Sequence, residues 1–73
     1  MLRNIQELEK FIHSAKRGER AIYHTGYLPR DGKFIINLPA LAKGVWDHSL
    51  TGTIVPLQKR LGEHNYEYII VRC

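Results

Sequence analysis

Hydrophobic positions recur along this chain with two periods, one helical and one of strands. Near the start, Ile5, Leu8, Ile12 and Ala15 follow one another at helical spacing, and Phe11 widens the stripe. Asn4 offers an N-cap, and Glu7 three residues later completes a capping-box pattern. Lys16 and Arg17 then fall in the last turn, where cations complement the helix dipole, and Gly18 supplies the stop. Arg20-Ala21-Ile22-Tyr23-His24-Thr25, closed by Gly26, has the β-branched and aromatic content of a short strand. Leu28-Pro29-Arg30-Asp31-Gly32 is a turn signal, because proline presets φ and glycine relieves the exit. Residues 33–37 read in two ways. Phe34-Ile35-Ile36 is either a hairpin return strand or part of a compact connection ending at a helix cap.

Asn37 reads as the N-cap of a second helix that tolerates Pro39 in its first turn and ends at Gly52. Its apolar face takes in Leu38, Leu41, Ala42, Val45, Trp46 and Ser49 or Leu50, leaving Ala40, Lys43, Asp47 and His48 outward. The remainder reads as a hairpin, residues 53–61 and 66–72, with a turn at Gly62-Glu63-His64-Asn65. Setting Leu61 opposite Tyr66 brings Arg60 opposite Glu67. That register puts Val55, Leu57 and Leu61 on one face with Tyr66, Tyr68 and Ile70, and Ile54, Ile69 and Val71 on the other. Neither face is purely polar, which suggests a homodimer. Pro56 lacks a backbone donor and points its strand toward a sheet edge.

The order helix, strand, turn, helix, strand, strand predicts one α+β domain over residues 1–73, a small winged-helix-like fold with Leu8, Ile12, Leu41, Val45 and Trp46 in its core. In that layout the helix before the hairpin enters a major groove and the hairpin reaches backbone or minor groove. An α+β sheet with two helices on one face shares the element string and competes with it.

A longer pattern runs through these elements: Ala21-Ile22-Tyr23-His24-Thr25-Gly26-Tyr27-Leu28, then Leu38-x-x-Leu41-Ala42-x-x-Val45-Trp46, then Gly52-Thr53-Ile54-Val55-Pro56-Leu57-Gln58-Lys59-Arg60-Leu61, then Tyr66-x-Tyr68-Ile69. As a set it resembles a group of small bacteriophage and prophage proteins whose functions are mostly unassigned. The resemblance implies phage origin and a winged-helix-like fold, and it carries over no catalytic or binding residue. Two positions depart from the group, Pro56 where an aliphatic residue is common and Gly44 before Val45-Trp46.

Composition narrows the function classes. With 73 residues the chain has room for one core and no second domain. The single cysteine, Cys73, excludes an internal disulfide framework and a cysteine-based metal site, and nothing beside it activates the thiol. No apolar run approaches the ~20 residues of a membrane span, and the charged start is no signal peptide, so the expectation is a cytoplasmic protein without a membrane partner. The net charge of +4 permits nucleic-acid binding, but the excess is spread thinly and no segment forms a basic arm.

Candidate chemistry is sparse. His24 beside Thr25 invites a nucleophile reading, yet no acidic neighbour stands ready to orient the histidine, which favours a structural role. His13, His24, His48 and His64 are scattered singly, without zinc-site spacing, so no metal or cofactor is expected. Tyr66 and Tyr68 beside Lys59 and Arg60 suit base stacking, though cross-strand packing is the commoner use of such rings. The nucleic-acid candidates are Lys43 and His48 on the second helix and Gln58, Lys59 and Arg60 on the hairpin, with Glu63 at the tip opposing phosphate. That helix is poor in base-reading groups. Enzyme activity is the least supported class. The preferred reading is a phage regulator or excisionase-like factor on double-stranded DNA. The alternative is a host-takeover or anti-defence protein that occupies a bacterial protein's surface.

Overall fold

The computed structural model describes residues 1–73 and shows a small α+β domain of three helices and a three-stranded antiparallel sheet. The first helix, α1 (Ile5–Ser14), starts as its capping residues dictate: the Asn4 side chain accepts from the Glu7 backbone N–H at 2.9 Å. Glu7 reaches one residue further back than a capping box requires and accepts from the Arg3 N–H. At the other end the sequence expectation is corrected. Ala15 is already extended, so Lys16 and Arg17 lie beyond the helix and Gly18 serves the following turn at φ +87. The physical reason lies far along the chain. The Ile12 carbonyl, which the Lys16 N–H would satisfy in a longer helix, instead accepts from the Arg72 guanidinium at 3.0 Å.

Strand β1 (Arg20–Gly26) leads into a single helical turn, α2 (Leu28–Asp31), where a turn was expected. Residues 33–37 follow the second of their two readings, a compact connection of tight backbone turns with no strand. Helix α3 (Leu38–Leu50) begins at Asn37, but that side chain makes no capping bond. Gly52 ends the segment at φ +77. Gly44 is where α1 crosses α3: a Cβ there would stand 2.7 Å from Ile5 Cδ1 and 3.0 Å from Leu8 Cδ2.

Strands β2 (Ile54–Gly62) and β3 (Asn65–Arg72) form the hairpin, and β3 is central in the order β1-β3-β2. β2 is an edge, where Pro56 is tolerated. The expected register holds only at the tip, where Gly62 pairs with Asn65. An irregularity between Arg60 and Gly62 shifts everything beyond it by one residue, so Arg60 faces Tyr66 and Lys59 faces Glu67. A one-residue shift exchanges the faces of a strand. Ile54, Pro56, Gln58 and Arg60 therefore share the helix side with Tyr66, Tyr68 and Ile70, while Val55, Leu57 and Lys59 share the outer side with Glu67, Ile69 and Val71.

β1 carries its own irregularity between Ile22 and His24. It turns two consecutive side chains inward, and both Tyr23 and His24 are buried. The core between helices and sheet consists of Leu8, Ile12, Tyr23, Leu41, Val45, Ile54, Tyr68 and Ile70. Four of the five expected core residues are in it. Trp46 is not: it stands 61% exposed on α3.

Candidate interaction surface

The placement of Trp46 follows from helix geometry. At about 100° per residue, the expected apolar face from Leu38 to Leu50 wraps about half the helix, more than one packed layer can cover. Leu38, Leu41 and Val45 define the buried direction, and all three are nearly inaccessible. Trp46 lies roughly 100° round from Val45 and faces water. On this outer side Pro39, Lys43, Trp46 and Leu50 follow at i, i+4, i+7 and i+11, one continuous stripe. Leu50 is 68% exposed, and exposed Phe34 and Ile36 precede the helix. Asp47 and Ala40 flank the stripe on one side and are exposed.

The five nucleic-acid candidates are not brought onto one surface. Lys43 is exposed on α3 as expected. His48 is not outward: its Nε2 sits 2.8 Å from Glu9 Oε1 on α1, and the residue is half-buried. Gln58 and Arg60 are exposed on the helix side of β2, and the pleat turns Lys59 to the outer side, opposite Glu67. Arg60 is not neutralised by Glu67, and its Nε donates to the Gly62 carbonyl at 3.3 Å. Tyr66 and Tyr68 are spent on packing. Tyr68 is buried and its hydroxyl accepts from the Leu28 N–H at 2.9 Å. Tyr66 stands half-buried, its ring centroid 6.1 Å from Tyr68 and 6.3 Å from Tyr27.

Around His24 the structure supplies the acid that the sequence reading did not find. The single turn of α2 returns Asp31 to the end of β1, with Oδ2 2.8 Å from His24 Nε2 and accepting from the Tyr27 N–H at 2.9 Å. The His24 hydrogen bond, then the Tyr27 N–H and the Arg30 guanidinium, lower the Asp31 pKa from 3.8 to about 2. Gly26 makes the approach possible. Its φ is +136, and a Cβ there would collide with Asp31 Oδ2. The signal that could have found this network is a glycine at a strand end followed five residues later by an acid at a one-turn spacing. The arrangement fastens α2 to β1 and offers no nucleophile, since Thr25 pairs with Glu67 on the outer side while His24 points inward. Burial, and then Tyr68, raise the Tyr23 pKa above 10.0.

A mostly apolar groove of about 570 Å³ runs beside β1, lined by Met1, Leu2, Ala21, Ile22 and Ile69 with Arg20 and Thr25 as its polar residues. No three His, Cys, Asp or Glu side chains come together as a metal site. No helix is long and apolar enough to cross a membrane. Comparison with known proteins gives no match to any family model, curated protein or solved structure.

Proposed function

We propose that this protein works by binding rather than catalysis, and that its working surface is the outer face of α3, which takes a protein partner. The observation that carries the reading is the exposure of Trp46 and Leu50 on a helix whose other side is fully packed. Burying a large apolar side chain is worth roughly 1.5–3 kcal/mol, and aromatic residues are the commonest interface anchors. Base readout draws on arginine, asparagine or glutamine, and the outer stripe of α3 carries none of them. On the resemblance to small phage proteins, the setting is the cytoplasm of a bacterium.

Capture from bacterial lysate, with and without nuclease, tests this reading on wild type and on Trp46→Ala with Leu50→Ala. The expected result is a stoichiometric protein, either a host protein or an untagged copy of this chain made in the same cells, that survives nuclease and is lost with the α3 substitutions. Retention indifferent to those substitutions overturns it.

A second reading keeps double-stranded DNA. The sheet order β1-β3-β2 with α3 directly before the hairpin supports a winged-helix assignment, and Gln58 and Arg60 lie exposed on the side of the hairpin that faces the helices. With Lys43 and Arg60 as phosphate contacts, log affinity should fall against log salt with a slope near −1.8 per protomer. Arg60→Glu should then flatten the slope while Lys59→Glu, on the opposite side, does little. The reverse order of effects removes this docking geometry.

A further inference from the structure

The outer face of α3 is complementary to itself. We infer that its partner is a second copy of this chain, docked through an antiparallel α3–α3 contact about a two-fold axis. The inference rests on the reading of α3 as a protein-binding surface and names what covers it.

The argument starts from the order of side chains along the stripe, Pro39, Lys43, Trp46 and Leu50, with Asp47 beside it. In an antiparallel pair centred between residues 44 and 45, residue 39 of one copy lies level with residue 50 of the other, and residue 43 with residue 46. Leu50 then meets Pro39 of the second copy at both ends of the contact, apolar on apolar. A two-fold axis perpendicular to both helices keeps each flank on the same side of the interface in both copies. Trp46 leans to one flank, so the two tryptophans come together there across the axis. Lys43 and Asp47 lean to the other, so each Lys43 is placed beside Asp47 of the second copy, giving two symmetric ion pairs.

Charge and shape are thus satisfied by one operation, with no like charges opposed. A parallel pair would bring Lys43 to Lys43 and Asp47 to Asp47. The antiparallel choice is therefore electrostatic as well as steric.

Trp46 is the chain's only tryptophan, so its fluorescence reports this contact alone. Sedimentation velocity and Trp46 emission across a concentration series test the inference on wild type, Trp46→Ala, Lys43→Asp, Asp47→Lys and the double exchange. The wild type should dimerise with a blue shift of the emission that tracks the dimer fraction. Trp46→Ala should weaken the dimer by roughly 30-fold or more without altering the circular dichroism. Each single charge reversal should weaken it by roughly tenfold, and the double exchange should recover most of that loss. A dimer unaffected by these substitutions, or a double exchange no better than the singles, overturns the α3–α3 contact. A monomer at millimolar concentration that still retains a bacterial protein through Trp46 overturns the second copy and leaves the protein-binding reading standing. A monomer with no Trp46-dependent capture overturns both.

Discussion

Two residues of α3 should answer mutation in opposite ways. Leu41 is sealed beneath the helix, and truncating it to alanine should cost about 2–5 kcal/mol, enough to leave a domain this small mostly unfolded. Trp46, the larger side chain, should cost no more than about 0.5 kcal/mol when truncated, because water already surrounds most of it. Urea unfolding of the two variants, at dilutions where the chain is monomeric, checks the contrast, and a severe loss for Trp46→Ala there would put the ring back in the core. At the end of β1, Gly26→Ala should destabilise by about 1–3 kcal/mol, since it strains the backbone and displaces Asp31. Asp31 also sets a pH dependence. Its folded pKa lies below the ordinary value of 3.8, so its contribution is complete above about pH 4 and fades as pH falls toward 2. Asp31→Asn should narrow its stability deficit against wild type on acidification through that window. A deficit constant from neutral pH down to pH 2 would mean that the carboxylate charge is not what the network uses.

Elements announced themselves in the sequence according to how local their causes are. The start of α1 rests on Asn4 and Glu7, four residues of chain, and was legible. Its end was not, because the guanidinium on the Ile12 carbonyl comes from 60 residues away. The hairpin was legible as two apolar runs around a turn, but its register was not. A single irregular residue between Arg60 and Gly62 exchanges the faces of β2, and nothing in the local pattern announces it. Among the site candidates the pleat separates Lys59 from Arg60, the shift sets Arg60 and not Lys59 on the helix side, and burial against α1 removes His48. The structural role expected of His24 agrees with its packing, but its acidic partner required the fold to be closed first. The side Trp46 takes is not legible locally, because an apolar residue on a half-apolar helix can face either way and only the opposing layer decides. Arg72 offers a test at this scale. Arg72→Ala should fray the last turn of α1 and the start of β2 together, because one guanidinium holds the Ile12 and Thr53 carbonyls. Faster amide exchange confined to one of the two segments would show that the link is not shared.

At the scale of the whole molecule, the sheet has a consequence for the order in which the protein can be made. β1 and β2 do not pair with each other; the only strand either pairs with is β3, which a ribosome delivers after both. Until residue 65 and its successors emerge, neither β1 nor β2 has a partner strand. The nascent chain can form its helices early, but it cannot build a partial sheet and wait. Pairing across such separations is slow in folding because a long loop must close before any contact rewards it. Synthesis and folding are therefore uncoupled here: the last strand to appear is the one that turns the earlier segments into a protein. A message cut short anywhere before β3 should yield no half-stable remnant, only a chain ready for degradation.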